Sequence, residues 1–217
     1  MSSGQARSCS RSCDVAAEVR IVVTDTSPLI TLAAAQSLDY LLYPALPVVI
    51  PDAVYYEATA GAGKLGAQQI IDWYHAHEGA VRIEPSEAFQ VAWTVISLQG
   101  GRLPKDLGER AAVEIIRGLP LAAQDRALLL SDDRDVRRLV VVDPDRLILL
   151  TTWDYLRQLE QAQRIQSADA VMEAVRRAGR NPPARDLWAQ HDPEIRDAVR
   201  AAIERAHRIP PAGDDET

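Results

Sequence analysis

Acidic side chains recur at similar places in the layout of this chain, after or shortly beyond short apolar segments. They are Asp25, Glu57, Glu109, Asp132, Asp133 and Asp135. In an open parallel sheet the carboxyl ends of the strands lie along one edge, and ligands bind at that edge. If the apolar segments are strands of one sheet, these acids are expected to converge there.

Taken singly, each acid also has a purely structural explanation. Asp25 can support a turn into a helix, Glu57 can lie on a solvated helix face, and Asp106 with Glu109 is close to a capping box. The aspartates near Asp132 can favour a helix N-terminus through its dipole. Capping gives no reason, however, for a glutamate inside the helix after the second strand or for three acids within four residues.

Crowded carboxylates repel one another, so such a cluster is unfavourable unless a cation neutralises it. Mg²⁺ or Mn²⁺ fits best, because these ions prefer carboxylate and water oxygens. Zinc is not supported, since Cys9 and Cys13 have no partner pair and the histidines lie far away in sequence. A metal held by carboxylates activates water for in-line attack on phosphorus, so the predicted reaction is phosphodiester hydrolysis.

Short apolar segments alternate with amphipathic ones along the chain and position these acids. The predicted strands are 20–24, 47–50, 81–83, 127–130 and 147–150. The first helix is predicted to begin at Pro28 with Ser27 as its N-cap. Further helices are predicted over 39–43, from Asp52 through Glu57, and over 64–77, 87–98, 106–117, 153–163, 168–179 and 193–208. Apolar strands between helices indicate an α/β fold whose parallel sheet is covered on both faces.

Four stretches contain these acids: VVTDTSPL at 22–29, IPDAVYYE at 50–57, LGERAA at 107–112 and LLSDDRDVR at 129–137. Together they resemble the PIN-domain family, and within it the bacterial toxin-like branch related to VapC ribonucleases. In the last stretch, Ser131, Asp133 and Asp135 are similar to the family's Thr-x-Asp-x-Asp. The resemblance covers about residues 21–181 and implies a PIN-like three-layer fold, with a mostly parallel sheet of four to five strands.

The same resemblance implies roles for individual residues. Asp25, Glu57, Glu109 and Asp133 would be the catalytic, metal-binding acids. Asp132 or Asp135 would be auxiliary metal ligands, and Ser27 would support the site. The implied protein is a Mg²⁺- or Mn²⁺-dependent endoribonuclease that acts as the toxin of a toxin–antitoxin pair, with RNA as substrate, an antitoxin protein as partner and a homodimeric state.

Two alternative functions follow from other features. The stretch GAGKLG at 61–66 matches a dinucleotide-binding pattern, but a helix is predicted before it where that pattern needs a strand. A loop is therefore the favoured interpretation. The second alternative is a catalytically degenerate PIN-like protein that acts as a partner-binding module, which the amphipathic segment 193–208 favours.

Composition and charge limit the class of protein. With 47% hydrophobic and 25% charged residues the chain is typical of a globular protein, and a net charge of −7 argues against a generally basic nucleic-acid surface. No apolar run is long enough to span a membrane, and residues 1–20 lack the apolar core of a signal peptide, so a cytoplasmic protein is expected. Prolines at 182 and 183 predict a boundary, which divides the chain into a flexible leader (1–19), a PIN-like domain (20–181) and a C-terminal helical extension with an acidic tail (182–217).

Overall fold

A five-stranded, fully parallel sheet forms the centre of the molecule. The computed structural model describes residues 18–61, 63–133, 136, 146–185 and 193–208. The strands are β1 (Glu18–Thr24), β2 (Val48–Pro51), β3 (Val81–Glu84), β4 (Asp125–Leu130) and β5 (Leu147–Leu150). Their order across the sheet is β3-β2-β1-β4-β5. Because β1 is central and Thr24 pairs with Leu130 of β4, the residues after these two strands lie side by side.

Helices connect the strands and cover the sheet. They are α1 (Thr26–Ala34), a 3-10 helix (Leu38–Leu42), α2 (Asp52–Thr59), α3 (Ala67–Ala76), α4 (Glu87–Gln99), α5 (Leu107–Gly118), α6 (Thr152–Gln161), α7 (Ala168–Arg177) and α8 (Pro193–Arg208). None of the described helices is both long and apolar enough to cross a membrane.

Alternate residues of the strands pack against opposite helical layers, as the two-residue period of a strand requires. Val22 and Leu128 belong to the larger core cluster, which includes residues of α1, α3, α6, α7 and α8. Val23 and Leu129 belong to a second cluster on the other side, which includes residues of α5. The predicted three-layer α/β fold is therefore confirmed, and every predicted strand is present.

The start of α1 differs from the prediction. The helix begins at Thr26, and its N-cap is Asp25, whose Oδ1 accepts a hydrogen bond from the Thr26 N–H at 2.7 Å. The predicted Ser27 cap is wrong. The proline preference for the first helical position misplaced the boundary, because Pro28 is tolerated anywhere in a first turn whose N–H groups lack helical partners.

The glycine-rich stretch at 61–66 lies between α2 and α3, so it follows a helix, as predicted. Gly66 precedes α3 with a φ of +81°, and a Cβ atom there would lie only 2.8 Å from the Ala33 Cβ. Glycine at this position therefore permits close packing of α3 on α1.

The C-terminal helix α8 packs into the same core as the sheet. Val199, Ala202 and Ile203 of α8 are buried in the larger cluster, which also holds Tyr155 and Leu156 of α6. Trp153, at the start of α6, is buried in this cluster as well. The leader up to residue 17, Asp135 and the acidic tail lie outside the described residues.

Candidate active site

A cleft of about 390 Å³ opens at the carboxyl edge of the sheet. Five of the six predicted acids line this cleft: Asp25, Glu57, Glu109, Asp132 and Asp133. They come from different parts of the chain, namely the end of β1, α2, the first turn of α5 and the segment after β4. The expected convergence therefore occurs for every predicted acid that the structure describes, and Asp135 lies outside those residues.

Asp25 is the buried acid of the cleft, with 8% of its surface exposed. Its Oδ1 accepts the Thr26 N–H, and its Oδ2 accepts a hydrogen bond from the Ser131 hydroxyl at 2.9 Å. Burial raises the pKa of Asp25 to about 6; the charges of Glu57 and Asp132 act in the same direction, and the two hydrogen bonds oppose it. The carboxylate is thus firmly oriented, and its negative charge is poorly solvated.

Glu57 lies on the exposed side of α2 and lines the same cleft as the buried acid. Its Oε2 accepts a hydrogen bond from the Thr26 hydroxyl at 2.9 Å. Gly108 of α5 lies between the two acids, because a Cβ added there would be 3.3 Å from Asp25 Oδ1 and 3.7 Å from Glu57 Oε2. A glycine at this position lets α5 approach both carboxylates.

The adjacent aspartates 132 and 133 have different surroundings. Asp132 Oδ1 accepts the Thr152 N–H at 2.8 Å, and its Oδ2 accepts the hydroxyls of Thr152 and Ser27 at 2.8 and 3.1 Å. Burial raises the pKa of Asp132, while these hydrogen bonds and the charge of Arg180 oppose the rise. Asp132 therefore joins α1 to the start of α6, whereas Asp133 is exposed at the cleft.

Ser131 is a site residue that the sequence prediction did not select. It is fully buried, its hydroxyl donates to Asp25, and its Oγ accepts the Asp133 N–H at 3.2 Å. The hydroxyl thus links the acid after β1 to the segment after β4. Its position in the Ser-x-Asp-x-Asp motif was the available indication of this role.

Among the residues that the structure describes, Arg180 and Lys105 are the basic ones that line the cleft. Arg180 follows α7, where a boundary was predicted, and its guanidinium donates to the hydroxyls of Ser27 and Thr31, each at 3.2 Å. Burial lowers the pKa of Arg180, and the charge of Asp132 opposes that change. No local sequence pattern indicated this return to α1, because it depends on the tertiary packing of α7.

The donor chemistry of the cleft fits a hard divalent cation. Its described lining residues offer carboxylate oxygens and neither a thiolate nor an imidazole, and the poorly solvated charge of Asp25 is of the kind a bound cation would neutralise. Among the described residues, however, no three acidic, histidine or cysteine side chains are grouped closely enough to hold a metal ion. The fit therefore concerns the type of ligand and not a closed coordination sphere.

A family model described as a PIN domain matches residues 21–180. The matched region contains all five acids of the cleft and extends to Arg180. Comparisons with curated proteins and with solved structures gave no match.

Proposed function

The chain belongs to the PIN-domain family, whose members are generally nucleases that use divalent metals, and we propose that it is a Mg²⁺- or Mn²⁺-dependent endoribonuclease. One observation carries this proposal: acids from four separate parts of the chain, one of them a buried aspartate, share one cleft. Helix capping accounts for Asp25 and helix support accounts for Asp132, but neither accounts for Glu57 and Asp133 at the same cleft.

In this proposal, Asp25, Glu57, Glu109 and Asp133 hold the ion. A bound Mg²⁺ or Mn²⁺ would lower the pKa of a water molecule and stabilise negative charge on the phosphate. Asp132 positions the site through its bonds to α1 and α6.

The remaining cleft residues orient the acids and receive the substrate. Ser131 and the Thr26 N–H hold both oxygens of Asp25 in place. The Thr26 hydroxyl holds Glu57 in a similar way. Lys105 and Arg180 supply positive charge next to the acids, where a phosphodiester backbone would otherwise be repelled.

Hydrolysis of a labelled single-stranded RNA by the purified chain tests this function. Cleavage is expected with added Mg²⁺ or Mn²⁺ and is expected to stop with EDTA. Asp25→Asn should reduce the rate at least about 100-fold, in keeping with loss of a central electrostatic group. Asp72→Asn is the matched control, because Asp72 is exposed on α3 and does not line the cleft. Cleavage that persists in Asp25→Asn, or that needs no metal, would contradict the proposal.

The resemblance to VapC-type toxins extends the proposal to a toxin that an antitoxin protein holds inactive. Induced expression of the wild-type chain alone is then expected to arrest bacterial growth, and Asp25→Asn is expected to permit it. Equal growth with both chains at equal protein levels would count against the toxin role while leaving the nuclease proposal to the RNA assay.

The alternative, a degenerate partner-binding module, relied on the amphipathic pattern of 193–208. In the structure, α8 buries Val199, Ala202 and Ile203 against the sheet layer of the same chain. Because the apolar face of α8 is covered by the core of its own chain, the amphipathic pattern of 193–208 does not favour a partner-binding module.

A further inference from the structure

Three aromatic side chains, Tyr56 of α2 with Phe89 and Trp93 of α4, form an aromatic cluster at the surface. The ring of Tyr56 lies 5.5 Å from that of Phe89 and 5.0 Å from that of Trp93, between centroids, and the two rings of α4 are 5.9 Å apart. Tyr56 and Phe89 are half-buried, whereas Trp93 is 44% exposed. The two inner rings therefore hold an indole ring that is open to solvent.

Trp93 differs from the other tryptophans that the structure describes. Trp73 and Trp153 are buried, and their indole N–H groups donate to the carboxylate of Asp39 and to the carbonyl of Pro183. Within the described residues, the indole N–H of Trp93 has no acceptor. A buried indole normally finds a partner for its N–H, and an indole that stays exposed is typical of a binding surface.

The aromatic cluster adjoins the acidic cleft. Tyr56 is followed directly by Glu57, which lines the cleft, so the Cα atoms of these two residues are about 3.8 Å apart. Phe89 packs against the small buried core around Leu107, in the first turn of α5, and the next residue, Gly108, lines the cleft. The rings and the cleft thus share α2 and the start of α5. A nucleic-acid strand with a phosphate in the cleft has its neighbouring nucleotides within reach of the rings.

Two basic side chains follow α4 in the segment that joins it to α5. Arg102 lines a groove beside α4, and Lys105 lines the cleft. Both are exposed, and in the part of the chain that the structure describes neither makes an ion pair. Exposed cations suit phosphate groups, and exposed rings suit unpaired bases, which stack on aromatic side chains. This combination beside the cleft fits a single-stranded nucleic acid better than the apolar surface of a protein.

We propose that Trp93, supported by Tyr56 and Phe89, stacks on an unpaired base of the RNA substrate close to the scissile phosphate. The inference rests on the proposed function, because the acidic cleft is what brings the strand to the rings. Stacking accepts every base, since each has an aromatic face. The aromatic cluster therefore increases the affinity for a single strand without selecting a base, and it adds nothing for a duplex, whose bases already stack on one another.

Binding of a fluorescently labelled single-stranded RNA in Mg²⁺ tests this role. The parent chain carries Asp25→Asn, so that the RNA stays intact. Adding Trp93→Ala should weaken binding about 10-fold, the size expected for the loss of one stacked base, and should leave the binding of duplex RNA unchanged. Trp93→Phe keeps a ring and should retain most of the affinity. Val95→Ala is the matched control, because Val95 is similarly exposed, at 46%, but lies two positions along α4 and faces away from the rings.

Single-stranded RNAs that lack one base identify the stacked nucleotide. At one position, loss of the base should weaken binding to the parent about 10-fold and should have little effect on binding to the Trp93→Ala chain, because both changes remove the same contact. A merely structural role of Trp93 would make the two losses add. Circular dichroism should show the same fold for all chains, since the substituted side chains are exposed.

Unchanged affinity of Trp93→Ala for single-stranded RNA, or additive losses at every position, would overturn the stacking role. If Trp93→Ala kept its affinity for RNA and lost an assembly that the parent forms in sedimentation, the rings would belong to a protein interface, and the proposal would also fail. The nuclease function has its own readout. Cleavage by the wild type together with normal RNA binding by Trp93→Ala would remove the stacking role alone, whereas Trp93-dependent binding without cleavage by the wild type would remove the nuclease function alone.

Discussion

Folding and the proposed chemistry favour different protonation states of Asp25. The residue caps α1, and its carboxylate is nearly enclosed by the chain. Burial favours the protonated acid, whereas metal binding needs the ionised one. The hydrogen bonds from the Thr26 N–H and the Ser131 hydroxyl favour the ionised form and offset part of this conflict.

Asp25→Asn is expected to stabilise the metal-free protein at neutral pH. Because the pKa of Asp25 rises from 3.8 to about 6 on folding, the native state binds its proton more tightly than the unfolded state. The free energy of unfolding of the wild type should therefore fall as pH rises from about 4 to 6 and stay lower above that range. The substitution should remove this loss, which is about 3 kcal/mol at pH 7.5.

Urea unfolding of both chains in EDTA at pH 4, 6 and 7.5 measures this difference. The free energy of unfolding of Asp25→Asn should exceed that of the wild type by an amount that is smallest at pH 4 and grows towards pH 7.5. A variant that is less stable than the wild type at pH 7.5 would show that the ionised carboxylate stabilises the fold.

Ser131→Ala should lower nuclease activity most strongly at acidic pH. The hydroxyl stabilises the ionised Asp25, so its removal raises the pKa of that acid further. The acidic limb of the pH–rate profile should then move to higher pH, and stability should fall by about 1 kcal/mol from the lost hydrogen bonds. Ser131→Thr keeps the hydroxyl and serves as the control. Equal pH profiles for the alanine and threonine variants would assign Ser131 a packing role alone.

Residue types and spacing were sufficient to predict that these acids line one cleft, because they follow strands or lie in helices that start at the same edge of the sheet. They were insufficient to distinguish Asp132 from Asp133. That distinction depends on Thr152, which follows β5 and reaches Asp132 only after the sheet has formed. Arg180 was missed for the same reason, since its hydroxyl partners lie in α1.

At the scale of elements, the approach of α5 to the cleft depends on a single small residue. A Cβ atom at Gly108 would lie 3.2 Å from Val54 Cγ2 and 3.3 Å from Asp25 Oδ1. Neither neighbour can move freely, because Val54 is buried and Asp25 is hydrogen-bonded. Added volume at Gly108 must therefore move α5, and Glu109 with it.

Gly108→Ala is thus expected to lower the cleavage rate at least about 10-fold, by the displacement of Glu109. Gly118 is the matched control in the same helix, because nothing lies within 4 Å of its hypothetical Cβ. Gly118→Ala should leave activity unchanged and raise stability by up to about 1 kcal/mol through helix propensity. Equal activities for both variants would show that α5 tolerates displacement at the cleft.

Element types were predictable from hydrophobic periodicity, but their boundaries depended on tertiary pairing. β1 begins at Glu18, two residues before the predicted start, because Glu18 pairs with Asp125 and Arg20 donates to the Asp125 carboxylate at 3.0 Å. The exposure of Trp93 on α4 was also not predictable. The apolar spacing of α4 is that of a core helix, and only the structure shows that none of its residues is buried.

At the scale of the whole molecule, the C-terminal part of the chain packs against the N-terminal strand β1. Trp153 of α6 donates its indole N–H to the Pro183 carbonyl at 2.9 Å, which holds the segment after α7 against the domain. Beyond it, α8 packs on β1 and α6. The prolines at 182 and 183 predict a boundary after this helix, which ends at Arg177. A break in a helix, however, does not reveal whether the next helix joins the same core.

Ile203→Ala tests whether α8 is an integral part of the core. The side chain is fully buried with Val199 and Ala202, so its truncation leaves a cavity and should lower the free energy of unfolding by about 2–4 kcal/mol. Glu204→Ala, at the exposed neighbouring position, should change stability by less than about 0.5 kcal/mol. Because α8 contacts the central strand, the Ile203 variant should still unfold in a single transition, at lower denaturant, by both tryptophan fluorescence and circular dichroism. An early separate transition would mean that α8 unfolds independently and that the sheet and α1–α7 are stable without it.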